Sequence, residues 1–484
     1  MLTTVDYRNL VSDYQADAVE VAEAVRSGER RAADVLEESL ARIERLNPAL
    51  NAFVHIDADR ARRVAADVDK QVAAGTDPGP LAGVPLGIKE LESVEGWPAT
   101  SASTAFKDRL APASSINSTR LLAAGAVPVG LTASPEMGLL FFTNSILHGV
   151  TRNPWDLERT PGGSSGGSGA ALAAGLVPLC TGGDMGGSIR LPAGWCGVVG
   201  VKGTYGRVPR GPGWIGGANM VHYGPLARSV RDAARYLDCV VGTDQRDPGS
   251  LPAPAVPFER AIVETDLAGL RVAVIDNNGT CPSDPGVRAA VRGAADDLVA
   301  AAGLKLVDDA VLQVGSMDSV GGALLFIDMD PSNTAEMVEV MTNLMNTEGA
   351  APLFELAFGS GMSLESIAQA QQFRYDLNQS LATLFDDVDL LLMPTSPVPA
   401  FGAAGPVPTV VDGKEVGATA PAVFTAMFNT SGHPVVSVPA GIVDGCPVGM
   451  QIVARRHEDA LALAAAATLE QARPWPKLAP YAAS

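Results

Sequence analysis

The 484-residue sequence is poor in aromatic side chains, only 5% of it, and poor in positive charge, with 35 lysines and arginines against 54 acidic residues and a net charge of −19. Phosphate backbones are bound through a basic footprint, so this balance argues against nucleic acid as a direct partner. The scarcity of aromatics also argues against a stacking platform for single strands. The five cysteines, Cys180, Cys196, Cys239, Cys281 and Cys446, are widely spaced and form no CxxC. Such spacing speaks against a disulfide scaffold or a zinc site and for reduced thiols in a cytoplasmic protein. The five histidines (His55, His148, His222, His433, His457) form no HxxxH or HExxH pair, so neither a metal nor another cofactor is expected. Long hydrophobic runs are missing as well. The longest, around Ala170 to Cys180, is broken by Gly175 and Pro178 and reads as core, not as a membrane span. The first residues carry Asp6, Arg8 and Asp13 and no apolar stretch, so no signal peptide is expected.

What the chain does have is 47% hydrophobic residues, ample for a large core. Apolar spacing predicts helices over 16–27, 31–46 and 57–74, read as a solvated N-terminal wrap, with Asn47-Pro48 ending the second. Beyond residue 75, helix and strand patterns alternate. Strands are expected over 81–90, 127–131, 176–181, 197–202, 270–275, 304–307 and 388–393, and helices over 117–124, 169–174, 229–241, 284–302, 364–385 and 458–470. The runs at 434–439 and 447–453, with Asp444-Gly445 between them, predict a hairpin. This alternation predicts an α/β fold. The expected organisation is one large domain with a mixed, twisted sheet and helices on both faces. Residues 1–75 are its helical wrap, and 76–484 its core with a variable helical excursion around 316–386.

The chain is organised around Thr160 to Pro192. Here Ser164 and Ser188 each follow a pair of glycines, in Gly162-Gly163-Ser164-Ser165-Gly166-Gly167 and Asp184-Met185-Gly186-Gly187-Ser188-Ile189-Arg190. Glycine turns let another group approach the main chain closely. A hydroxyl beside bare backbone N–H groups supplies what acyl transfer needs, a nucleophile and an oxyanion pocket. A flexible linker would not be followed at once by core-like sequence, as this stretch is. Upstream, Lys89 closes the apolar run Leu81-Ala82-Gly83-Val84-Pro85-Leu86-Gly87-Ile88. Burial there would lower its pKa, and a neutral amine is a competent general base.

These pieces together resemble the amidase signature family. The glycine–serine block runs from Arg152-Asn153-Pro154-Trp155-Asp156 to Ser168, the nucleophile loop is Asp184 to Arg190, and the lysine strand is Gly83 to Lys89. The segments Asn429-Thr430-Ser431-Gly432-His433-Pro434 and Pro447 to Val453 resemble the family's closing strands. The resemblance implies Ser188 as nucleophile, Ser164 as a bridging serine after a cis peptide, and Lys89 as base. It implies an oxyanion hole from the N–H groups of Met185, Gly186, Gly187 and Ser188, with Ser165, Asp184 and Arg190 bracing the loops. His148 and His433 have no part in such a relay and read as structural. Three positions depart from the family's pattern: Glu90 where aspartate is usual, Gly87 for a more typical alanine, and Leu191 where the corresponding component of the glutamine-dependent tRNA amidotransferase usually has glutamine.

The implied activity is cleavage of a carboxylic amide through a serine acyl-enzyme. The expected substrate is a small apolar or aryl amide, with esters or carbamates (urethanes) open to the same chemistry. Met329, Met337, Met341 and Met345 read as helical core or, more sharply, as pocket lining. The alternative is the A subunit of a glutamine-dependent tRNA amidotransferase. A scaffold that has lost its chemistry is a third reading, disfavoured because all three relay residues are present. The chain is expected to act as a monomer or homodimer, away from membranes.

Overall fold

Eleven short apolar runs pair into one mixed sheet in the computed structural model of the chain, which describes residues 16–212, 220–308, 310–312, 314–315, 334–351 and 363–483. In chain order the strands are β1 (Phe53–Ile56), β2 (Pro85–Lys89), β3 (Val127–Thr132), β4 (Leu179–Asp184), β5 (Val199–Lys202), β6 (His222–Ala227), β7 (Arg271–Val274), β8 (Lys305–Leu306), β9 (Leu390–Pro394), β10 (Val435–Val443) and β11 (Cys446–Ala454). Across the sheet they lie in the order β1-β3-β2-β4-β6-β5-β10-β11-β9-β7-β8. Towards one edge β2 runs parallel to both β3 and β4, and towards the other β7 runs parallel to both β8 and β9. The strands between are antiparallel, including the expected hairpin of β10 and β11. Its turn works because Asp444 and Gly445 both take positive φ, 49° and 80°.

Both faces of the sheet are covered, because successive side chains point to opposite sides. On β9, Leu390 and Leu392 join the main core with the helices Val230–Val240, Pro285–Ala302 and Asp459–Ala472. Leu391 and Met393 join a second cluster with the helix Leu364–Asp387. The N-terminal helices Ala18–Arg26, Ala32–Leu50 and Ala58–Ala73 are more than a solvated wrap: Val21, Val25, Leu36, Leu46 and Ala65 enter the main core. Among the described residues no helix is long and apolar enough to cross a membrane.

Four departures from the sequence-based expectations bear on the frame of the fold. The second helix does not end at Asn47-Pro48 but runs through Pro48 to Leu50. Its stop is Asn51, left-handed at φ 51°, while the Asn47 side chain accepts from the N–H groups of Ala52 and Phe53. A second departure is β6, a strand without a clear sequence signal because Gly224 and Pro225 lie inside it. Glycine is required there, since a Cβ on residue 224 would stand 2.1 Å from Val201 O. Third, β1 has no counterpart among the expected strands. Fourth, the helix expected from residue 169 begins in the glycine–serine loop, at Gly166. Of the excursion expected over 316–386, the helices Thr334–Asn346 and Leu364–Asp387 are described, whereas 316–333 and 352–362 lie outside the described residues, as do 1–15 and 213–219. Met329 and the side chain of Met337 therefore also lie outside them. Met341 is half-buried and Met345 is 58% exposed, so Met345 packs in no core.

Candidate active site

Lys89 is the last residue of β2, a strand buried at all five positions. The sheet closes tightly around it: a Cβ on Gly87 would meet Cys180 Sγ at 2.8 Å, so the glycine fits where alanine would crowd. Lys89 is 1% exposed. Its backbone N–H donates to Thr181 Oγ1 on β4 at 2.9 Å. Its Nζ donates to Ser164 Oγ at 2.7 Å and to Gly183 O at 3.0 Å. Burial pushes the Lys89 ammonium down to about 7, while the charges of Asp184 and Glu92 oppose that shift. At neutral pH a large share of the amine is therefore unprotonated and able to accept a proton from the serine hydroxyl.

Ser164 follows a cis peptide bond from Gly163, as the resemblance implies. Its neighbours leave little room. A Cβ on Gly138 would stand 3.1 Å from Ser164 Oγ, which brings the 136–138 turn against the hydroxyl. Ser165 ties the two glycine–serine loops together: its N–H donates to Ser188 O at 3.1 Å, and its hydroxyl to Gly183 O at 3.3 Å. The helix Gly166–Ala173 then leaves the loop so close to β3 that a Cβ on Gly167 would meet Ala133 N at 2.2 Å.

The second loop is wrapped around a buried ion pair. Arg190 donates from Nε to Asp184 Oδ2 at 3.0 Å and from Nη2 to Asp184 Oδ1 at 2.9 Å. Both side chains are fully buried. Burial opposes the Asp184 charge, but the charge and hydrogen bonds of Arg190, with the amide of Asn429, outweigh it and hold the carboxyl far below the usual range. The same carboxylate accepts from the N–H groups of Gly187 at 2.7 Å and Ile189 at 3.1 Å. Of the four N–H groups expected to line an oxyanion pocket, that of Gly187 is thus engaged, whereas among the described residues no acceptor takes the N–H of Met185, Gly186 or Ser188. Ser188 itself is 7% exposed.

Residues far along the chain complete this frame, and local sequence pattern could not find them. Thr425 Oγ1 donates to Gly186 O at 2.6 Å. Arg190 also donates to Gln451 Oε1 at 2.8 Å and Asn429 Oδ1 at 2.6 Å. Asn429 and Gln451 fall in the family-like closing segments, which is their only signal in the sequence. Gly187 has φ +128°, and a Cβ there would stand 2.3 Å from Thr425 Oγ1. Gly187→Ala is expected to lower kcat by about 10²-fold through misplacement of the loop; steady-state kinetics beside a thermal melt would separate this from unfolding. His148 and His433 stand apart from the lysine and serines. His148 Nε2 meets Glu90 Oε1 at 2.8 Å, and His433 stacks on Phe385 with centroids 5.2 Å apart.

Comparison with known proteins agrees with this geometry. The Amidase family model matches residues 34–463. The chain is 35% identical over 477 residues to the A subunit of the glutamyl-tRNA(Gln) amidotransferase of Synechococcus sp. (strain RCC307), covering 93% of this chain and 96% of that one. It is 34% identical over 464 residues to the acylamidase of Rhodococcus erythropolis, covering 95% of each. Among solved structures, a bacterial aryl acylamidase of the amidase signature family superposes with a TM-score of 0.86 at 31% identity, over 95% of this chain and 97% of that one. A buried lysine against a serine, a glycine loop held on an ion pair, and a family match over most of the length lead to one conclusion: the chain belongs to the amidase signature family and is an amidohydrolase.

Proposed function

We propose that the chain is a stand-alone amidase acting on small apolar or aryl amides, with esters and carbamates as further substrates of the same chemistry. The observation that carries this reading is the 2.7 Å contact between the buried Lys89 amine and Ser164 Oγ. Neutral Lys89 takes the proton of Ser164, which takes that of Ser188. Ser188 Oγ attacks the carbonyl carbon. The oxyanion is received by the N–H groups of Met185, Gly186 and Ser188, each such donor contributing about 3 kcal/mol to transition-state stabilisation. The relay returns its proton to the leaving nitrogen, and water then cleaves the acyl-enzyme along the same path. Ser165, Asp184 and Arg190 hold the loops. The logic is that of a triad with lysine in place of histidine.

Support for a partly apolar substrate comes from a cleft lined by Phe373, Val423, Met427 and Cys281 together with the polar Asn278, Thr280 and Thr419. It adjoins the oxyanion loop, because Thr425, between two of these residues, holds Gly186. Phe373 also packs with Met185 in one small apolar cluster. The second reading, the A subunit of a glutamine-dependent amidotransferase, is favoured by the relatives of that name at similar identity. Offering the purified chain an anilide and glutamine decides between them. Anilide turnover without a partner supports the first reading; glutamine turnover that requires added partner chains overturns it.

The pH dependence of kcat/KM is expected to rise through a midpoint near pH 7, the value to which burial brings Lys89, and to level off on the alkaline side. Below the midpoint the lysine is protonated and cannot accept a proton. A profile that stays flat down to pH 5 excludes Lys89 as the base.

A further inference from the structure

Three residues past the lysine lies a carboxyl that the relay does not use. Glu92 is 2% exposed and its backbone N–H donates to Lys89 O at 2.7 Å, so a tight turn fixes it relative to Lys89. Its carboxyl is surrounded by uncharged donors. Asn117 Nδ2 lies 2.9 Å from Oε2 and 3.2 Å from Oε1, and Ser115 Oγ lies 3.4 Å from Oε2. Ser118 Oγ lies 3.5 Å from Oε2, and the Thr181 hydroxyl, which accepts the Lys89 N–H, helps to favour the charged carboxyl. No arginine pairs with Glu92 among the described residues, and the cation that acts on its carboxyl is Lys89.

Buried carboxylates are retained when they have a counter-charge or give up their charge. Among the described residues the two side chains form no direct ion pair, and the turn from Lys89 O to the Glu92 N–H holds both buried groups in one place. An ammonium with a carboxylate, or an amine with a carboxylic acid, leaves the site neutral. The surroundings suit both forms. Asn117 Oδ1 is buried and has no partner, while Nδ2 also donates to the Tyr236 hydroxyl at 2.7 Å. Rotation of that amide by half a turn would present an acceptor to a protonated Glu92 in place of a donor. The other titratable groups that sense Glu92 are the phenols of Tyr223 and Tyr236, both pushed up by burial and so neutral at working pH. On the lysine side the further charge is Asp184.

We propose that Glu92 is a positioning residue for the relay, whose charge sets the pH at which Lys89 becomes a base. The inference rests on Lys89 being that base. Burial raises the Glu92 carboxyl to about 7, with its hydrogen bonds and Lys89 opposing, so both groups titrate across the same interval. Ionised Glu92 favours the Lys89 ammonium and delays its deprotonation; without that charge the amine is freed at lower pH.

The test is the pH profile of kcat/KM for Glu92→Gln, which keeps the shape and removes the charge. The expected result is an acid limb displaced downward by about one unit, so that activity relative to the alkaline plateau rises by up to tenfold at pH values below the wild-type midpoint. A merely structural role would lower activity at every pH and leave the midpoint in place, and that result overturns the proposal. If Glu92→Gln does not fold, Asn117→Ala supplies the second variant. Loss of the amide donor disfavours the carboxylate, so the limb again moves down, and an unmoved limb again overturns the proposal. Lys89→Met is the control for the underlying reading: retained activity there removes the lysine from the mechanism, whereas an inactive Lys89→Met with an unmoved Glu92→Gln midpoint defeats the Glu92 proposal alone.

Discussion

Replacing Ser188 by alanine is expected to lower kcat by roughly 10⁶-fold, the scale on which removal of a serine nucleophile acts in other acyl-transfer enzymes. The size of the effect comes from the covalent step, for which water at the same position is no substitute. The N–H groups of Met185 and Gly186 would still be in place to receive an oxyanion, because their loop is held by Asp184, Arg190 and Thr425 and not by the serine hydroxyl. A small residual rate is therefore expected. Labelling by a sulfonyl fluoride, read by intact mass, should occur in the wild type and disappear in Ser188→Ala. A labelled Ser188→Ala chain, or a fall in kcat of less than about tenfold, would move the nucleophile elsewhere. Ser164→Ala keeps the nucleophile but breaks the path to Lys89, so slow labelling with weak turnover is expected of it.

Arg190→Met should be the most destabilising single change at the site. It leaves the Asp184 carboxylate fully buried without its guanidinium, and breaking a buried pair in this way costs about 3–5 kcal/mol. The same change strips donors from Asn429 Oδ1, Gln451 Oε1 and Thr425 O, tying the loss to three distant positions. The sign of the pH dependence is diagnostic. In the wild type the folded-state pKa of Asp184 is depressed, so its ionisation contributes stability that is present above the unfolded value of about 4 and lost as pH falls through the folded value. In the variant, burial without the guanidinium would raise the folded value above the unfolded one, and the contribution would reverse: stability should then be greater at pH 5 than at pH 8. Urea unfolding at the two pH values reads this directly. An Arg190→Met chain as stable as the wild type would show that the pair does not hold the loop.

The sequence was most informative where local chemistry leaves few choices. Glycine at 162, 163, 186 and 187 beside serine marks backbone that must turn tightly, and the structure gives Gly162 and Gly187 φ values of 91° and 128°. The helices over Pro285–Ala302 and Asp459–Ala472 and the β10–β11 hairpin follow from periodicity and turn residues. The pattern failed where distant packing overrides local preference. The helix Arg190–Cys196 contains Pro192 and Gly194, and β6 contains Gly224 and Pro225, so both look like loops until their neighbours are in place. Pro48 reads as a helix stop but is carried within the last turn of its helix, where Asn47 and Asn51 end it three residues later.

By itself, then, the sequence singled out the candidate reactive groups, because Lys89, Ser164 and Ser188 each sit in a short motif whose backbone demands are local. Their combination was decided by the tertiary structure alone. Lys89 comes to lie 2.7 Å from a serine 75 positions away because β4 pairs beside β2 and the glycine–serine loop is tied to β4 through Gly183 O, and the sheet's burial of the amine moves its pKa. The Gly187 N–H is taken by the Asp184 carboxylate, which folds back onto it, and a tight backbone turn fixes Glu92 close to the lysine in the chain. Hydrogen-bond partners and burial are properties of the packed chain, and no local pattern contains them.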